Sequence, residues 1–174
     1  SDTTVACVSG VPGARALGEG NVRARTLLSE IIDRLAGPRL VLHADADPED
    51  GPAELDSMSA LAESYPVSAW KTYPHVRSLR LDSEELGLPF IERARSLGVN
   101  VIASHRGISG GGGYESAGSP LDVVRAAKAA PDVRFLIYHS GWENSHDENH
   151  AYDPANADPL GVDRLIRAVQ EHEL

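Results

Sequence analysis

Four apolar stretches of this chain end in ionisable residues. LVLHADADP places His43 ahead of Asp45 and Asp47, VSAWKTYP places Lys71, NVIASHRG places His105 and Arg106, and VRFLIYHSG places His139. Neutral imidazole is a common ligand for zinc, manganese and iron. If the runs ending in His105 and His139 are neighbouring parallel strands, about 4.8 Å apart, both rings can tilt onto one ion at about 2.1 Å from each nitrogen. The plainer reading is two buried histidines satisfied by hydrogen bonds. Lys71 follows Trp70 at a buried strand end, where an ammonium is costly unless paired. It could hold a substrate carboxylate, bridge two metals after carboxylation, or sit in a structural ion pair. His43 belongs to a carboxylate-dense segment that reads as a site or as a solvated loop.

Other motifs carry less. His146 and His150 stand four apart in HDENH, but the second position is Asp147 and no apolar helix surrounds them, so a loop is expected rather than an H-E-x-x-H metal helix. No G-x-S-x-G nucleophile elbow occurs. GISGGGGYESAG (107–118) lacks the Lys-Ser/Thr of a phosphate loop and reads as a surface loop or a lid.

The elements that would position these residues follow from hydrophobic periodicity. Five short runs, at 3–13, 39–48, 67–74, 100–107 and 133–141, are rich in Val, Ile, Leu or aromatics and stop at Gly, Pro, Asp or Ser. Buried strands covered on both faces look like this. Helical patterns alternate with them. Leu27, Leu28, Ile31, Ile32 and Leu35 mark one over 21–36, which stops at Gly37-Pro38. Leu55, Met58 and Leu61 mark a second. Asp82 and Glu85 suggest a capping box opening a third that ends near Gly98, Ser119-Pro120 opens a fourth, and a last runs over 162–171. The regular alternation predicts one α/β domain over 1–174 with a parallel sheet. Two architectures compete: part of a (β/α)8 TIM barrel, about five β/α units, or an open doubly wound sheet. Both build their sites at the C-terminal ends of the strands.

Composition narrows the function classes. The chain has 174 residues and a formal net charge of −10. That balance argues against nucleic acid and against an anionic membrane surface as partners. No apolar run of about 18 residues is present, so no membrane span is expected. The single cysteine, Cys7, rules out an internal disulfide and a cysteine-rich zinc site, and its apolar surroundings predict a buried core thiol. A cytoplasmic location is expected, and assembly with further copies of the chain is left open.

VSAWKTYP, LGLPFIERARSLGVNVIASHRG and PDVRFLIYHSGWE together resemble the amidohydrolase superfamily, in its amidohydrolase-related (amidohydrolase 2) branch of metal-dependent TIM-barrel hydrolases and decarboxylases. SDTTVACVSGVPG resembles an early strand of that barrel. The resemblance implies that the five runs correspond to barrel strands two to six. His105 then matches a metal ligand, and His139 a second ligand or the acid/base. Lys71 falls where some binuclear members carry a carboxylated lysine. The implied cofactor is a divalent metal, zinc first, with manganese or iron as alternatives. The chain contains no H-x-H pair, and the family's last-strand Asp has no counterpart, so it looks like the middle of a larger barrel. The expectation is a hydrolase acting on a small, carboxylate-bearing substrate through a metal-activated water, with Lys71, Arg106, Trp142 and His43 lining the pocket. A non-oxidative decarboxylase, a non-catalytic barrel fragment and a doubly wound ligand-binding domain are the alternatives.

Overall fold

The computed structural model describes residues 5–10, 18–37, 39–74, 79–108, 118–143, 147, 149–172 and 174. The five apolar runs form strands β1 (Ala6–Val8), β2 (Leu40–Asp45), β3 (Val67–Thr72), β4 (Val101–His105) and β5 (Arg134–Tyr138). All pair in parallel, in the order β1-β2-β3-β4-β5, as a curled half-barrel sheet. Among the described strands the order never reverses. The sheet therefore has no switch point, which overturns the doubly wound alternative.

Five α-helices are described: α1 (Gly18–Ala36), α2 (Pro52–Ser64), α3 (Gly87–Ser96), α4 (Leu121–Ala129) and α5 (Gly161–Glu171). α1 stops where Gly37 takes φ +77° and its N–H reaches the Asp33 carbonyl at 3.0 Å. α3 starts later than its acidic residues suggest. The Ser83 hydroxyl accepts the Gly87 N–H at 2.9 Å, displacing the Asp82–Glu85 capping box. Gly87 is required there, because a Cβ would lie 2.4 Å from the carbonyl oxygens of Arg80 and Leu81. No described helix is long and apolar enough to cross a membrane.

Parallel neighbours joined in sequence order need crossovers of one hand, which puts the helices on one face of the sheet. The core lies there. Leu42, Ala44, Trp70 and Ile102 from the strands pack with Met58, Phe90, Ile91, Ala94 and Val123 from α2, α3 and α4. Strand periodicity sends the alternate residues to the opposite, inner face. Register sets Asp45, Lys71, Ala103 and Leu136 abreast there, with His105 beside Tyr138 one step further on. A register shift between Leu42 and His43 adjusts β2 to this row.

The inner face is open at its margins, where Leu136 is 39% exposed. Cys7 shares that face through its pairing with Val41 and is exposed, not the buried core thiol its apolar neighbours predict. Its run is apolar because the flanking residues serve the other face.

Candidate functional site on the inner face and rim

His105 closes β4, and His139 begins the one-turn 3-10 segment that follows β5. Their ring centroids lie 4.4 Å apart with the planes at 65°. The strand-end expectation is met: the two imidazoles share one rim. Tyr73 extends the aromatic group, its ring 5.8 Å from that of His105.

The backbone around this rim is unusual. Among the described residues, three non-glycine residues have positive φ: Ile108 (+45°), His139 (+62°) and Ser140 (+53°). All three lie in the loops that follow β4 and β5. The β-branched Ile108 is poorly suited to this conformation. Such residues cost about 1–3 kcal/mol each and persist where surrounding structure imposes them, as at binding and catalytic sites. Here the two loops hold each other: Ile108 N–H donates to the Trp142 carbonyl at 2.9 Å, and Gly141 N–H to the Arg106 carbonyl at 3.2 Å. A Cβ on Gly107 would lie 2.5 Å from the Trp142 nitrogen, so only glycine permits this approach. Trp142 itself is 40% exposed on the rim.

Below the rim, Lys71 is 1% exposed. Its Nζ donates to the Thr72 carbonyl at 3.2 Å and lies 4.2 Å from the ring centroids of both Tyr73 and Tyr138. Burial disfavours the charged form, and Arg106 adds repulsion. Asp45 opposes both, yet the amine is brought down to about 7. Asp45 has other ties. Its carboxylate accepts the Gly10 N–H at 3.2 Å and lies 3.7 Å from Arg25. Burial raises its pKa, against the pull of Arg25, Gly10 and Lys71.

His43 is also buried, and its Nδ1 lies 3.1 Å from the Tyr138 hydroxyl. Burial first, then the nearby Lys71 and Arg25 charges, lowers its pKa and favours the neutral ring. The HADADP segment is thus not a wholly solvated loop: His43 is buried and Asp45 half-buried on the inner face. Tyr73 donates its hydroxyl hydrogen to the Gly10 carbonyl, tying the β1 loop over the same face.

Arg106 does not join this group. Period-two alternation sends it to the helix side with Ser104. There its guanidinium is buried against the Asp122 carboxylate at 2.6 Å and reaches the Leu79 carbonyl at 3.3 Å. The expected substrate-binding cation is a structural one. His150 pairs with Asp163 of α5 at 3.2 Å, and this contact raises its pKa. His146 and the Gly-rich residues 109–117, the loop-or-lid stretch, lie outside the described residues.

Tyr138 and Tyr73 are the site residues that sequence reasoning missed. Tyr138 lies two residues beyond Leu136 on the inner-face period of β5, and that alternation was the available signal. Among the described residues no group of three or more His, Cys, Asp or Glu side chains could hold a metal ion. The His105–His139 pair, with ring centroids 4.4 Å apart, would supply at most two of the four ligands of a tetrahedral ion. Comparison with protein-family models, with curated proteins and with solved structures gave no match.

Proposed function

We propose that the chain carries part of the catalytic face of a metal-dependent hydrolase of amidohydrolase type, built on a partial (β/α)8 barrel. The observation that carries this reading is the His105–His139 pair, 4.4 Å apart between ring centroids, on a rim whose loops hold strained backbone. Parallel barrels place their chemistry at this end of the strands. His105 and His139 would hold a divalent cation, zinc first. Such an ion supplies Lewis acidity, polarising a scissile carbonyl and making water nucleophilic near neutral pH.

The protein's own groups divide the remaining work. His139, more exposed than His105, is either the second ligand or, with the ion held by His105 and other groups, the acid/base beside it. Lys71 offers the inner face a donor for a substrate carboxylate when protonated. Arg106 cannot assist it, being committed to Asp122. Trp142 gives the rim an exposed apolar wall.

Titrating the chain with Zn2+ against a chromogenic chelator tests the reading, alongside hydrolysis of small amides and esters. His105→Ala and His139→Ala should each weaken binding at least tenfold while the fold, followed by circular dichroism, persists. Unchanged affinity in the double variant would sink the metal assignment. Release of carbon dioxide from an unsaturated acid, without hydrolysis, would replace hydrolase by decarboxylase.

A further inference from the structure

We propose that Lys71 is a covalent capture site for small carbonyl compounds, forming an imine with an aldehyde or ketone admitted to the inner face between Tyr73 and Tyr138. The inference needs no cation and is independent of the hydrolase reading.

Geometry carries it. Lys71 stands at the centre of the inner-face row, with Asp45 on one side and Ala103 on the other, and with Ala69 two residues back on its own strand. Two alanines beside the amine keep its surroundings small and apolar. An ammonium has three hydrogens to place. The one hydrogen bond of Nζ among the described residues goes to the Thr72 carbonyl. The two tyrosine rings offer π faces, which attract an ammonium but replace none of its lost hydrogen bonds, and Asp45 is engaged by Gly10 and Arg25. With one acceptor for three N–H groups in a buried site, the neutral amine, with its lone pair available, is within reach.

The charged and titratable groups around it agree. Asp45 and His43 face it from β2, Arg25 from α1, Tyr73 from beyond β3, Tyr138 from β5, and Arg106 acts from beyond β4. Burial and Arg106 outweigh Asp45 and bring the amine to about 7. Desolvated lysines of this kind are the ones that form imines with carbonyl substrates.

The step balances with residues at hand. The neutral amine attacks the carbonyl carbon, and a C–N bond forms as the carbonyl π pair moves to oxygen. That oxygen takes a proton, and the nitrogen gives one up, leaving a carbinolamine. The hydroxyl departs with a second proton as water while the nitrogen lone pair closes the C=N bond, and the iminium so formed returns a proton from nitrogen to leave the imine. Amine and carbonyl become imine and water, with no oxidant or reductant. The Tyr138 hydroxyl, paired with His43 Nδ1 at 3.1 Å, would lend and recover the proton once its ring has moved off the amine. Both tyrosine rings must shift to admit the ligand, because they cover Lys71.

The chain has two lysines, Lys71 and Lys128, and Lys128 is exposed on α4 and serves as the internal reference. The intact chain is incubated with pyruvate, and separately with propanal, in the presence of sodium cyanoborohydride, and adducts are located by peptide mass mapping. At pH 7 Lys71 should be trapped at least tenfold faster than Lys128, because an ordinary lysine with a pKa near 10.4 is almost wholly protonated there. The ratio should fall as pH rises toward 9.5 and Lys128 loses its proton. Tyr138→Phe should keep the adduct but slow its formation. Lys71→Met, which retains the bulk of the side chain, should abolish the fast site while circular dichroism confirms the fold. Trapping at Lys71 no faster than at Lys128 with both probes overturns the proposal. Trapping by pyruvate alone would support it and assign the site to carboxylate-bearing carbonyls.

Discussion

Lys71 and Arg106 are two cations of one sheet, each 1% exposed, and they meet opposite fates. Arg106 faces the helices. Asp122 meets its guanidinium at 2.6 Å, and the same carboxylate accepts the Leu81 N–H at 2.7 Å. Lys71 faces the inner side, where a carbonyl and two aromatic rings receive it and the nearest acid in register is held by other groups. A buried charge that meets a carboxylate organises structure. One that is incompletely paired keeps a mobile proton, and mobile protons belong to chemistry. Among the described residues the helix side of this sheet therefore buries a cation against a carboxylate, and the inner side buries one against a carbonyl and two rings.

The strongest way to break that contrast is to unpair the structural cation. Asp122→Ala leaves the Arg106 guanidinium buried without its carboxylate, and removal of one partner from such a pair costs about 3–5 kcal/mol. Urea unfolding should show that loss. A change below about 1 kcal/mol would mean that Arg106 is not held as the contrast requires.

A smaller effect should come from the proton on Lys71. Its folded pKa lies below the unfolded value, so between about 7 and 10.5 the unfolded chain binds the extra proton. Stability therefore rises as pH climbs through that window, and the penalty for burying the ammonium is fully present below it. From pH 7 to pH 9 the gain approaches about 2 kcal/mol, and Lys71→Met should lack it. A wild-type slope equal to that of the variant would show that Lys71 titrates normally.

The smallest effect should come from charges outside the contrast. Arg95 and Asp132 meet at 2.8 Å with both side chains exposed to water on one side. Asp132→Ala should change stability by less than about 1 kcal/mol, and salt should erase even that. A larger loss would mean that surface pairs, and not only the buried one, hold this sheet together.

Much of the scaffold was legible because strands and helices write their periods into the chain. The runs ending in His43, Lys71, His105 and His139 proved to be neighbouring parallel strands, since apolar stretches bounded by Gly and Pro have few other uses in alternation with amphipathic segments. The rim pair was legible for the same reason. Arg106 was misjudged although it directly follows His105. One residue along a strand is half a pleat, and half a pleat exchanges the site for the core. Cys7 failed by the reverse error, because its apolar neighbours described the face opposite its own. The late start of α3 turned on Ser83, one hydroxyl among several polar residues able to cap.

By itself, the sequence determined a parallel α/β scaffold and the residues at its strand ends, because both depend on local patterns of burial and turn formation. Only the tertiary structure decided which neighbours those residues met. It chose Asp122 for Arg106, two tyrosines for Lys71 and the Tyr138 hydroxyl for His43. These partners lie 16 to 95 residues apart for the two pairs joined by hydrogen bonds. Register and sheet curvature bring them together, and the resulting burial and pairing set their charge states, which no local pattern in the chain encodes.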